Sequence, residues 1–290
     1  MYLRFGAMRN QLTKKHLALA CGWIICTLFS SGQIDPTDLP GLTFWLRADS
    51  AVLLSGVDVT TWEDLSGGGH HASQPAAVVW PDFMPDAING LPAVSFDGTD
   101  DFMSFPEVND LRTVFWVVRE NQLANPNWPR RSLLGHSSTM FFLRGDLRRL
   151  WDSFAGAMVV QGNTRLNFNP VNGTTTPLPA GFNLVSIVTT ANAAATHLTM
   201  DLNVFGRTWW GEIAEIIGFS QPLSPAEVLA METYLANKYT PDFIPIPDVI
   251  VPYGFCDTLL CAPEGMASYL WSNGSADPCI SIDSEGTFTL

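Results

Sequence analysis

Ile88-Asn89-Gly90-Leu91-Pro92-Ala93-Val94-Ser95-Phe96-Asp97-Gly98 holds a short strand-like run, Ala93 to Phe96, between an Asn-Gly and an Asp-Gly turn. The same rhythm recurs along the chain. Candidate strands are Leu42 to Leu46, Ala93 to Phe96, Thr113 to Val118, Met140 to Leu143, Leu184 to Thr189 and Ile213 to Phe219, separated by Gly, Asn, Asp and Pro clusters. Such spacing predicts an all-β antiparallel sandwich or barrel. Several runs lack strict alternation, as expected where two sheets pack and both faces of a strand are covered.

One segment departs from this pattern. Ser224 is followed by Pro225 and, three residues on, by Glu227, so the Ser hydroxyl and the Glu carboxylate can each satisfy a free backbone N–H at a helix start. Val228, Met231, Leu235 and Tyr239 then recur at helical spacing and give one apolar face. A single C-terminal helix is predicted, covering one edge or end of the sandwich.

Proline marks the borders: Pro36 and Pro40 precede the strand-rich stretch, and Pro241, Pro245, Pro247 and Pro252 follow it as stiff connectors. The chain is divided accordingly into residues 1–32, a linker at 33–40, a main domain at 41–240, a Pro-rich linker at 241–252 and a final module at 253–290. Residues 1–32 carry Arg4, Arg9, Lys14 and Lys15 without an acid, then an uncharged run from Leu17 to Phe29. That order reads as a secretory signal peptide, and the run is shorter than the roughly 20 apolar residues a membrane span needs. A secreted or cell-surface location is expected, with no membrane span once the signal is removed.

The full chain has 15 Lys and Arg against 28 Asp and Glu, a net charge of −13, and loss of the leader makes the remainder more negative still. Such a field repels phosphate backbones, so nucleic acid is excluded as a partner. Divalent cations and neutral glycans suit it better. Cys21 and Cys26 lie in the leader, and the other cysteines, Cys256, Cys261 and Cys279, all fall in the final module. The main domain must therefore fold without disulfides. In an oxidising compartment Cys279 is expected to pair with either Cys256 or Cys261.

Four segments in order resemble the laminin G-like, concanavalin A-like jelly rolls of modular secreted bacterial proteins: Leu42 to Asp49, Trp62 to Gly69, Ile88 to Gly98, and Gly211 to Ile217 continuing through Pro222-Leu223-Ser224 to Tyr234-Leu235-Ala236-Asn237-Lys238-Tyr239. The resemblance implies a concanavalin-like jelly roll over 41–240 that serves recognition. Tyr269-Leu270-Trp271-Ser272-Asn273-Gly274 and Gly286 to Leu290 resemble parts of an Ig-like or PKD-like β module, which 253–290 would hold only in part, as a fragment or an incomplete domain.

Asp64 opens a turn with Ser66 and three glycines, where a carboxylate and carbonyls can surround Ca²⁺, a cation that takes about six to eight oxygens. The resemblance adds Asp97 and Glu215 as candidate calcium ligands. The competing reading is an Asp that caps its own turn. Among ten tryptophans, Trp128, Trp209 and Trp210 are candidate sugar-stacking surfaces, while Trp45, Trp62 and Trp116 lie in strand-like runs and are assigned to the core. Glu212 and Glu215 stand three apart, on opposite faces of a regular strand, so they make a glycosidase pair only if a bulge intervenes. Adjacent His70 and His71 are read as loop residues. No nucleophile elbow, phosphate loop or His-Glu-x-x-His helix occurs. The sequence thus leads to a non-catalytic recognition or adhesion module for a glycan or an extracellular protein; a divergent glycoside hydrolase and an architectural spacer are the alternatives.

Overall fold

The computed structural model describes residues 34–121, 130–239, 258–261, 274–277 and 279–282. Its strands are β1 (Leu42–Arg47), β2 (Val52–Ser55), β3 (Asp58–Trp62), β4 (Ala72–Ser73), β5 (Asp82–Ile88), β6 (Leu91–Asp97), β7 (Met103–Glu120), β8 (Arg131–Ser132), β9 (Leu134–Gly135), β10 (Leu143–Arg144), β11 (Asn163–Leu166), β12 (Asn169–Val171), β13 (Phe182–Leu198) and β14 (Trp210–Phe219). A single turn, α1 (Ala157–Val160), and one long helix, α2 (Pro225–Tyr239), complete this part. Twelve strands form one antiparallel sheet in the order β1-β14-β6-β5-β3-β4-β7-β13-β11-β12, with β2 on β3 and β9 on β13. The architecture is an all-β sandwich with a C-terminal helix, as the strand spacing predicts. Of the candidate strands only Met140 to Leu143 departs: its first residues lie outside any strand, and only Leu143 joins β10.

Two long strands tie the sandwich together. The second half of β7 pairs with β14 through Thr113↔Phe219 and with β13 through Val118↔Asn183, while its first half reaches β4 at Ser104↔Ser73. Register irregularities between Val188 and His197 bend β13 along with it. The sheet thereby folds over an inner core that includes Phe44, Trp62, Val114, Trp116, Val118, Val185, Ile187 and Ile216. Trp62 and Trp116 are fully buried and Trp45 nearly so, as expected.

The helix covers a sheet face rather than an edge or end, which corrects the sequence reading. Val228, Met231, Leu235 and Tyr239 pack on Trp45, Phe115, Val117, Ala214, Ile217 and Phe219. This second apolar layer explains why Thr113–Val118 and Ile213–Phe219 are apolar at successive positions: one face meets the inner core and the other meets α2. The cap forms as predicted, with Ser224 N–H donating to Glu227 Oε2 at 2.7 Å and Glu227 N–H to Ser224 Oγ at 3.3 Å.

A bulge fixes the helix in place. Pairing of β14 with β7 shifts between Ile213 and Glu215, so Ile213 and Ile216 face the inner core while Ala214 and Ile217 face α2. Glu215, fully buried, turns to the helix side and accepts from Trp45 Nε1 at 2.7 Å, Tyr239 OH at 2.8 Å, Lys238 Nζ at 2.6 Å and Tyr234 OH at 3.3 Å. Burial and the Glu215 charge push the Tyr239 phenol up, so it remains a donor. Glu212 instead meets Arg119 at 2.7 Å and is partly exposed. Removing the carboxylate with Glu215→Ala leaves Lys238 beside buried unpaired donors and should cost about 3–5 kcal/mol. Glu212→Gln should cost about 1 kcal/mol or less. Urea unfolding of both variants checks this, and equal losses would contradict the burial difference.

Candidate functional site

Polar side chains from four elements meet at one end of the sandwich. The first element is the turn joining β6 to β7. Asp97 Oδ1 accepts from the N–H groups of Thr99 at 2.8 Å, Asp100 at 3.2 Å and Asp101 at 3.4 Å, and Asp101 Oδ2 accepts from Asp97 N–H at 2.8 Å. Gly98 is required here. Its φ is +74°, and a Cβ would stand 2.4 Å from Trp210 Cβ and 2.6 Å from Arg131 Nη1.

Trp210, the first residue of β14, lies directly across from Asp97 in the β14–β6 register. Its ring is half-buried and carries the Arg131 guanidinium 5.6 Å from its centroid. Arg131 is fixed by Nη1 bonds to the carbonyls of Thr208 at 2.7 Å and Gly98 at 3.1 Å. Asp97 is exposed, Asp100 half-buried and Asp101 nearly buried, with carboxylate oxygens within 4.8 Å of one another. Burial raises the Asp101 carboxyl from its ordinary 3.8 to about 7, assisted by the charges of Asp97, Asp100 and Asp82 against the opposing Asp97 N–H bond.

Deeper in, Arg131 on β8 stands opposite Arg144 on β10, a juxtaposition of like charges that is unfavourable by itself. Glu120, the last residue of β7, offsets it. Glu120 Oε2 accepts from Arg144 Nη2 at 2.7 Å and from Arg148 Nε at 3.1 Å. Leu147 and Arg148 both adopt left-handed backbone, with φ of +50° and +62°, and this strained turn aims Arg148 at the carboxylate. Arg144 is 1 % exposed and lies over the Trp209 ring at 5.9 Å. Burial, outweighing the attraction of Glu120, pushes its pKa down to about 10, with Arg148 and Arg131 adding to the fall.

The sequence-designated residues divide as follows. Trp209, just before β14, is fully buried, which corrects its assignment as a stacking surface; it is Trp210, the first residue of the strand, that meets solvent. Trp128 lies outside the described residues. Asp64 serves its own turn, accepting from Trp45 N–H and Ser66 N–H through Oδ1 and from Ser66 Oγ and His70 N–H through Oδ2. The three calcium candidates do not form one cluster: Glu215 serves α2, and among the described residues Asp97 groups with Asp100 and Asp101, not with Asp64. His71 Nδ1 accepts from Asp64 N–H, a loop role as expected. The bulge in β14 does bring Glu212 and Glu215 toward the helix side, where each is held in its own ion pair. In the final module, β15 (Thr258–Cys261) and β16 (Cys279–Ile282) pair with Cys261 opposite Cys279, and Cys279 is disulfide-bonded.

The arginines were missed because no two of their elements are neighbours in a recognisable motif. A signal existed: Arg130, Arg131, Arg144, Arg148 and Arg149 fall close together in a chain with only 15 basic residues.

No family model and no curated protein matches the chain. Among solved structures it is similar to Trypanosoma rangeli sialidase in complex with sialic acid, with 14 % identity and a TM-score of 0.42 over 70 % of this chain and 34 % of that one. It is likewise similar to the same sialidase in complex with 2,3-difluoro-KDN, with 14 % identity and a TM-score of 0.41 over 70 % and 33 % of the two chains. This chain spans about a third of the length of those sialidases. The expectation of a non-catalytic chain finds no support in this finding, because the solved structures it is similar to are sialidases. No residue role is carried across from them.

Asp101 gives the site a pH signature. Its folded pKa lies above its unfolded one, so the folded chain retains a proton that the unfolded chain loses, and this contribution to stability falls as pH rises from 3.8 through about 7. Asp101→Asn should flatten the decline in Tm between about pH 4 and pH 7. An unchanged decline would mean that Asp101 titrates as an ordinary carboxyl.

Proposed function

We propose that the chain recognises carbohydrate at this end of the sandwich. The observation that carries the reading is the half-buried Trp210 ring standing across from Asp97, beside the Asp100 and Asp101 carboxylates and under the Arg131 guanidinium. An indole offers a flat apolar face to the C–H side of a sugar ring, the carboxylates accept from hydroxyls, and the arginine holds the ring in place. A few polar groups converging on an apolar surface is the composition of small-ligand sites in general. In this reading the module works outside the cell, delivered by the basic and apolar leader at 1–32.

The test is a glycan array probed with the full chain. Binding to at least one glycan class is expected, with Trp210→Ala lowering affinity about tenfold, or about 1.4 kcal/mol, while Trp80→Ala leaves it unchanged. Circular dichroism of both variants confirms that they fold. Binding to no glycan, or binding indifferent to Trp210→Ala, would sink the reading.

A second reading, glycoside cleavage at the same place, has one observation in its favour. Asp101, beside Asp97 and Asp100, is pushed up to about 7 by burial, and a carboxyl that keeps its proton near neutrality is what a general acid for glycosidic cleavage needs. Release of reducing sugar from a panel of oligosaccharides, reduced about a hundredfold or more by Asp101→Asn, is the expected outcome. No release from any of them would leave recognition without cleavage.

A further inference from the structure

Four strands of the twelve-stranded sheet pair on one side only: β1, β2, β9 and β12. An unpaired strand edge is a template for another strand, and folds usually blunt it. Three of the four are blunted here. On β1, Trp45 N–H donates to Asp64 Oδ1 at 2.9 Å and the Trp45 carbonyl accepts from Leu65 N–H at 2.8 Å, so the chain at 64–65 lies along that edge. Strand β9 is two buried residues, and β12 is three residues with Pro170 at its centre. Strand β2 has none of these guards. Among the described residues β3 is its one strand partner, and Val52-Leu53-Leu54-Ser55 contains neither a charge nor a proline. The register shift beside it leaves β2 itself unbroken, because the extra residue, Thr60, lies on β3.

This edge is an unfinished rim of the inner core. Val52 stands opposite Trp62 and Leu54 opposite Val59; both partners are buried, and residues paired across strands share a face. Val52 packs on the core, whereas Leu54 is 43 % exposed because no strand lies beyond it. Leu53, on the other face, is 51 % exposed, and Val57 in the turn to β3 is 65 % exposed. A strand added alongside β2 would carry the core layer one step further and cover Leu54.

Charge selects the strand that fits. With a net charge of −13, most ways of joining two copies of this chain bring acids together. Residues 50–57, Ser-Ala-Val-Leu-Leu-Ser-Gly-Val, are free of charge. A second copy running antiparallel about a two-fold axis at Leu53 sets Leu53 against Leu53, Val52 against Leu54, Ala51 against Ser55 and Ser50 against Gly56. No acid then faces an acid, and core-side residues meet core-side residues. A slip of one residue would set inner side chains against outer ones. We propose that two copies of the chain associate by antiparallel addition of β2 to β2, the same patch serving on both. Four residues a side bury less than the about 1,200 Å² at which stable complexes begin, so the pairing is weak, with a Kd on the order of 100 µM.

The experiment is sedimentation equilibrium of the full chain from about 10 to 500 µM, a range chosen to bracket that Kd. The apparent mass should rise toward that of a dimer. Leu53→Lys sets a cation against its own copy at the axis and should weaken association about tenfold or more. Leu229→Lys charges a similarly exposed leucine on α2 and should leave association unchanged. Hydrogen exchange of the unaltered chain supplies a readout that needs no variant: the β2 amides should slow as concentration rises. A monomer at the highest concentration would overturn the proposal. So would association that leaves β2 exchange unchanged or that Leu53→Lys does not weaken, since the contact would then lie elsewhere. Slowing of β2 exchange only on addition of a different protein would replace self-pairing with a foreign strand and overturn it equally.

Discussion

The structure depends on β7 having one face in the inner core along its whole second half. Val114, Trp116 and Val118 occupy that face, and strand periodicity commits Glu120 to it as well, where the strand ends and the apolar filling stops. A carboxylate delivered there cannot remain unpaired, because burying an isolated charge costs far more than burying a paired one. The arginines of β10 and of the turn at Leu147–Arg148 answer that demand. Arg131, buried opposite Arg144, is held by the carbonyls of Thr208 and Gly98 and stacks on Trp210. Each step from the core strand to the exposed indole follows from the one before.

The same logic, with the opposite outcome, operates at the other face of the central strands. The bulge in β14 turns Glu215 out of the inner core and under α2, where two phenols, an indole and a lysine all reach it. There every oxygen is used, and the network fixes the helix to the sheet. Around Glu120 the satisfaction is incomplete: among the described residues, one oxygen and several nearby donors are unmet. Two buried carboxylates of similar exposure thus differ in what their neighbours leave over, and that difference separates a structural acid from one at the candidate site.

Much of the fold could be read from local chemistry. The capping box at Ser224–Glu227, the apolar strand runs and the turn at Asp97-Gly98 are each decided by residues a few positions apart, and each appears in the structure. The site was legible only in part. Asp97 and Trp210 could be singled out as residue types, but their meeting depends on β14 pairing with β6, a contact between distant segments. Trp209 could not be told from Trp210 without the register that decides which of two neighbours faces inward. Nor can sequence show whether Asp64 is open to a cation, because its four partners come from Trp45, Ser66 and His70 and are visible only once the chain has folded around it.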